Sequence, residues 1–163
     1  MRLPLMLALL VFYIGSWPCD GGPDDHQIAR SGDTSLRFVI GKKTIITTFH
    51  TFVVKKSDPW FPSNLEGYDD LSFVQNVEIT VNGEALWVPR SAYLDLFNAR
   101  AGAVRFENGS FVLSIAGADG ADAYQVRIYF DSKKVTRRAV FGLEGSPQKP
   151  SEETRYAPPL VID

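Results

Sequence analysis

Asn76-Val77-Glu78-Ile79-Thr80-Val81-Asn82-Gly83-Glu84-Ala85-Leu86-Trp87-Val88 carries the clearest strand-and-turn signal in the chain. Val77, Ile79 and Val81 alternate with Asn76, Glu78 and Thr80, the two-residue period of a strand with one buried and one wet face. Asn82-Gly83 supplies the pair of positive-φ positions that a tight hairpin demands, and Glu84 to Val88 returns as the partner strand.

The same period recurs on both sides. Leu36, Phe38 and Ile40 share one face, and after Gly41-Lys42-Lys43 the run from Thr44 to Lys56 is dense in Ile, Thr, Phe and Val, residues that pack well on a pleated surface. A second hairpin is legible in Val104-Arg105-Phe106, the turn Glu107-Asn108-Gly109-Ser110, and Phe111 to Ile115. Tyr124, Val126, Ile128 and Phe130 line one face of a further strand, and Lys134 to Leu143 pairs back through a turn at Asp131-Ser132-Lys133. Pro158-Pro159-Leu160-Val161-Ile162 suits an edge strand, where prolines cost no ladder bonds.

One segment breaks the period. In Pro89-Arg90-Ser91-Ala92-Tyr93-Leu94-Asp95-Leu96-Phe97, Tyr93 stands three and four residues before Leu96 and Phe97, which predicts one short helix plugging an open end of the sheets. The expected fold is all-β: an antiparallel β-sandwich or partly open barrel with one short helix. The expected organisation is a signal peptide over 1–19, a flexible linker over 20–33 and a single β-rich domain over 34–163.

The N-terminus reads as an export signal. Arg2 precedes a nearly unbroken apolar run from Leu3 to Ile14, followed by Gly15, Ser16 and Pro18. The run is shorter than the roughly 20 apolar residues a membrane span requires, so cleavage is preferred over an uncleaved anchor. Cys19 is the sole cysteine, so no disulfide forms within the chain. Its position after the apolar run makes it a candidate for lipidation, although Pro18 immediately before it fits poorly where a small residue is wanted; ordinary cleavage near Ser16 or Gly21 is the alternative. The expected location is therefore outside the cytoplasm, periplasmic or extracellular, with membrane contact only through the signal segment or a lipid on Cys19.

Val81-Asn82-Gly83, Val88-Pro89-Arg90-Ser91-Ala92-Tyr93 with Asp95-Leu96, and Tyr124-Gln125-Val126-Arg127-Ile128-Tyr129-Phe130-Asp131 followed by Val135-Thr136-Arg137-Arg138 together resemble a recurring pattern of uncharacterised exported proteins, largely from Gram-negative bacteria. The resemblance spans residues 77–138. It implies export and a compact β-rich domain, and it carries no activity.

Chemistry is sparse. The formal net charge is −2, and −3 once Arg2 is removed, because 16 basic residues then face 19 acidic ones. That mild acidity argues against a nucleic-acid partner. His26 and His50 are the only histidines and cannot complete a four-ligand zinc site with one cysteine. Asp24-Asp25-His26 reads as a solvated charge run, and Asp119 and Asp122 lack the spacing of a calcium loop. No nucleophile elbow and no phosphate-cradling glycine motif occurs, so neither a catalytic residue, a metal nor a cofactor is assigned.

Binding is the livelier prospect. Asp58-Pro59-Trp60-Phe61-Pro62-Ser63-Asn64 occupies a long connection between strands, with Tyr68 beyond it. Trp60, Phe61 and Tyr68 are candidate contact residues, since stiff loop aromatics between prolines make binding platforms; the competing role for Trp60 and Phe61 is to fold back over a sheet end. Arg137-Arg138 near Lys133-Lys134 reads as a solvated strand edge guarded by charge. The function expected is a non-enzymatic module that binds an envelope or extracellular protein. The alternative is a small-ligand or glycan-binding domain, with hydrolytic use of His50 or the Asp69-Asp70 loop.

Overall fold

The computed structural model describes residues 25–65, 67–142 and 149–157. The signal segment, Cys19, the start of the linker and the edge strand expected at 158–162 lie outside the described residues. Among the described residues there are ten strands: β1 (His26–Gln27), β2 (Gly32–Ile40), β3 (Lys43–Lys55), β4 (Asp70–Val81), β5 (Glu84–Leu86), β6 (Ala99–Glu107), β7 (Ser110–Gly117), β8 (Tyr124–Phe130), β9 (Val135–Gly142) and β10 (Glu152–Arg155). They form two antiparallel sheets, β1-β6-β7-β8-β9-β10 and β2-β3-β4-β5. The architecture is a sandwich, and the barrel alternative falls away.

Alternation explains the layers. Leu36, Phe38, Ile45, Phe49, Val77 and Ile79 of the smaller sheet face Leu113, Ile115, Val126, Ile128 and Phe130 of the larger one in a single core. Each large side chain so buried contributes about 1.5–3 kcal/mol of transfer free energy. Gly102 on β6 lets the layers close: a Cβ there would stand 3.1 Å from the Leu36 side chain and 3.5 Å from the Phe49 ring. Both hairpins read from sequence are present, with positive φ at Asn82 and Gly83 and at Asn108 and Gly109.

Three expectations are corrected. Residues 25–33 are not linker: β1 pairs with β6, Ile28 is buried in the core, and β2 begins at Gly32. One apolar side chain and an edge ladder suffice to pin a segment that composition alone makes look loose. The helix over residues 89–97 shrinks to a single 3-10 turn at Arg90–Ala92; its apolar spacing reflects burial of Tyr93 and Leu96 in a crossover between the sheets, not a helical face.

The third correction concerns Arg138. It is not a solvated guard but 2% exposed, facing inward from β9 opposite Ile128. Its guanidinium binds both Asp95 carboxylate oxygens (2.7 and 2.6 Å), Glu152 at 2.8 Å and the Ala92 carbonyl at 3.2 Å. A buried charge survives only when paired and hydrogen-bonded in this way. Arg138 thus fastens the crossover to the larger sheet and ties the edge strand β10 to β9. Arg137, on the other face, lies over the Tyr129 ring at 3.7 Å.

Candidate functional site

The two ends of the sandwich are built differently. At one end the connections β2–β3, β4–β5 and β6–β7 are two-residue turns and β8–β9 a short one; at the other the longer connections gather. That loop end holds residues 29–31, the β3–β4 connection, Phe97-Asn98 and the β7–β8 connection. A cleft of about 390 Å3 opens there, lined by Arg30, Tyr68, Asp69, Asp70, Asn98, Arg100 and Asp119 among others.

Each lining residue is placed by an identifiable cause. The carbonyl of Arg30 accepts the Ser72 hydroxyl at 2.5 Å, and those of Ala29 and Gly32 accept the Thr51 hydroxyl at 2.9 and 3.0 Å. These two hydroxyls are buried in the smaller sheet, so they fix the backbone from which Arg30 projects. Arg30 then pairs with Asp70 at 2.5 Å. Arg100 sits at a register shift: Ala99 opposes Gly117 and Ala101 opposes Ala116, leaving Arg100 as the extra residue of a β-bulge. A bulge re-aims a side chain, and here it turns Arg100 towards Asp119, with which it forms an ion pair. Asn98, in the left-handed region at φ 47°, accepts the Ser72 N–H at 2.9 Å through its side chain and so continues the sheet past its last pair.

Tyr68 donates its hydroxyl to Asp122 at 2.8 Å. The carboxylate beside it raises the phenol above its ordinary value of 10.0, because ionisation would break that bond and set two negative charges together. Tyr68 and Tyr124 both flank the Phe97 ring, at 6.3 and 5.9 Å between centroids. Tyr124 donates to the Phe97 carbonyl at 2.8 Å, and burial drives its phenol further upward.

The β3–β4 connection is a chain of turns rather than a loose loop: Asp58 accepts the Lys55 N–H at 2.8 Å, and Phe61, Leu65 and Tyr68 each donate back to the third residue before them. On this braced connection Trp60 is 85% exposed while Phe61 is half-buried. Trp60 does not fold back. The row Phe52–Phe73–Phe97, set by ladder pairing of Phe52 with Phe73 and a bridge from Phe73 to Phe97, continues aromatic surface across the neighbouring strands.

Of the residues singled out from sequence, Tyr68, Asp69 and Asp70 share the cleft, and Trp60 and Phe61 stand on the connection leading into it. His50 is elsewhere. It lies half-buried on the outer face of the smaller sheet, with Nδ1 2.7 Å from Asp33 Oδ1 and Nε2 3.4 Å from Glu78 Oε1, so it does not join Asp69-Asp70 in one site. Among the described residues, no group of three or more His, Cys, Asp or Glu is arranged to hold a metal ion, and no helix is long and apolar enough to cross a membrane. Arg30, Arg100 and Asn98 went unread in the sequence. Arg100 had a faint signal, a lone charge in the small-residue run Ala99-Arg100-Ala101-Gly102-Ala103; Arg30 had none, standing in apparent linker.

No family model, no curated protein and no solved structure matches this chain.

Proposed function

We propose that the protein is a non-enzymatic binding module acting outside the cytoplasm, and that the loop end is the surface it offers to a protein partner. The observation that carries this reading is Trp60, fully presented on a connection whose backbone is held by its own hydrogen bonds. Ordering it on binding costs little entropy, and tryptophan, tyrosine and arginine are the residues that dominate interface energies. Arg30 and Arg100 are half-exposed yet held by Asp70 and Asp119, so they too meet a partner already positioned. Location rests on the N-terminal sequence, the contact surface on the geometry.

The test is capture after mild cross-linking in the native cells, comparing the wild-type chain with Trp60→Ala and with Arg100→Ala. The reading expects one stoichiometric partner, reduced at least tenfold by Trp60→Ala, on the order of a lost hot spot. A partner retained equally by both variants removes the loop end from the interaction, and no enrichment from the wild type removes the binding-module reading itself.

A further inference from the structure

The opposite end of the sandwich holds a second opening, of about 460 Å3, lined by Ile40, Gly41, Lys43, Phe106, Gly109, Phe111, Asp131 and Ser132. Its size falls within the range of about 300–1,000 Å3 usual for small-ligand sites. Three rings step from the surface into the core: Phe106 is 55% exposed, its ring centroid lies 5.2 Å from that of Phe111, and Phe111 lies 5.6 Å from the fully buried Phe130. Phe106 leaves apolar surface wet at the mouth of the core, beside Ile40 and the Phe111 ring.

Lys43 pairs with Ile40 in the ladder and lies two residues before the buried Ile45, so it belongs to the inward-facing file of β3. It forms no ion pair among the described residues, and neither do Lys42 and Lys133 on the adjoining turns. The one carboxylate lining the mouth, Asp131, has an oxygen accepting the N–H groups of Lys133 and Lys134 at 2.7 and 2.9 Å, which holds it to its own turn. Glu107 falls on the opposite face of β6 from Phe106. The mouth therefore presents an aromatic slot with an unmatched ammonium at its rim.

From this geometry we infer a ligand site for a single-chain anionic amphiphile, a fatty carboxylate, with its head group on Lys43 and its chain along Phe106 and Phe111. The site is independent of the loop end. Titration of the purified protein with decanoate, and separately with decyltrimethylammonium, both below their micelle concentrations, is read by calorimetry and by backbone amide shifts. Saturable decanoate binding is expected, with shifts centred on residues 106–111. Lys43→Met weakens it about threefold, as loss of one exposed ion pair should, and Phe106→Ala about tenfold. Both side chains are exposed enough that neither variant threatens the fold, and Trp60→Ala leaves the affinity unchanged. Absence of saturable binding, equal affinity for the two amphiphiles, or indifference to both mouth variants overturns the assignment.

Discussion

The loop end and the hairpin end of this sandwich carry the same two ingredients, aromatic rings and cationic side chains, and arrange them oppositely. At the loop end each cleft arginine is locked to an aspartate and each half-buried tyrosine is hydrogen-bonded, while a single tryptophan stands clear. At the hairpin end the rings run inward and the lysines are left unmatched. A surface of fixed charges and one rigid aromatic suits a large, shape-specific partner, whereas an apolar slot with an unmatched ammonium suits a small flexible one. The difference comes from the connections: two-residue turns leave little chain to cover the mouth, whereas at the other end the β7–β8 connection supplies Asp119 and the start of β4 supplies Asp70 to pair with the arginines.

The largest perturbation should erase the contrast altogether. Arg138→Met removes the cation shared by Asp95 and Glu152 and strips the crossover of its anchor; both carboxylates stay solvated, so the loss is that of the charge-assisted hydrogen bonds, about 2–4 kcal/mol in urea unfolding. A loss below 1 kcal/mol would mean the guanidinium is not the fastening described. Next, Gly117→Ala strikes the loop end alone: its Cβ would fall 2.3 Å from the Tyr124 hydroxyl, so Tyr124 must leave the Phe97 carbonyl, at a cost of about 1–3 kcal/mol. The tyrosine absorbance titration should then shift to lower pH, since burial is what raises Tyr124 most.

Gly109→Ala is the matching change at the hairpin end. With φ at 85° and open space around the site, the penalty is backbone strain alone, about 1 kcal/mol, and Trp60 fluorescence should not respond. The smallest effect is Tyr68→Phe, below about 1 kcal/mol for one partly exposed hydrogen bond. Its pH dependence has a definite sign. The folded-state phenol is raised above 10.0, so its contribution is complete below that pH and disappears as pH climbs through the raised value; the stability gap between wild type and variant should close only in strong alkali.

How far the sequence carries a reader differs by region for physical reasons. The hairpins were legible because Asn82-Gly83 and Asn108-Gly109 encode backbone geometry locally, and the core because period two is a local pattern. The loop end was half legible. Tyr68 and Trp60 announced themselves by type, but Arg100 owes its direction to a bulge, and Arg30 to hydroxyls of Thr51 and Ser72 far along the chain. Arg138 was misread outright, since a strand arginine looks the same in sequence whether its face meets water or a crossover bearing Asp95. That pair links the stretches 88–96 and 124–138, a link only tertiary structure makes.

The most direct test of the loop end as the partner surface is site-specific photo-cross-linking in the native cells, with a benzophenone amino acid placed at position 60 in one chain and at position 106 in another. A partner bound at the loop end gives a single discrete protein adduct from position 60 and none from position 106. An adduct from position 106 alone would contradict that placement, reversing the roles assigned to the two ends.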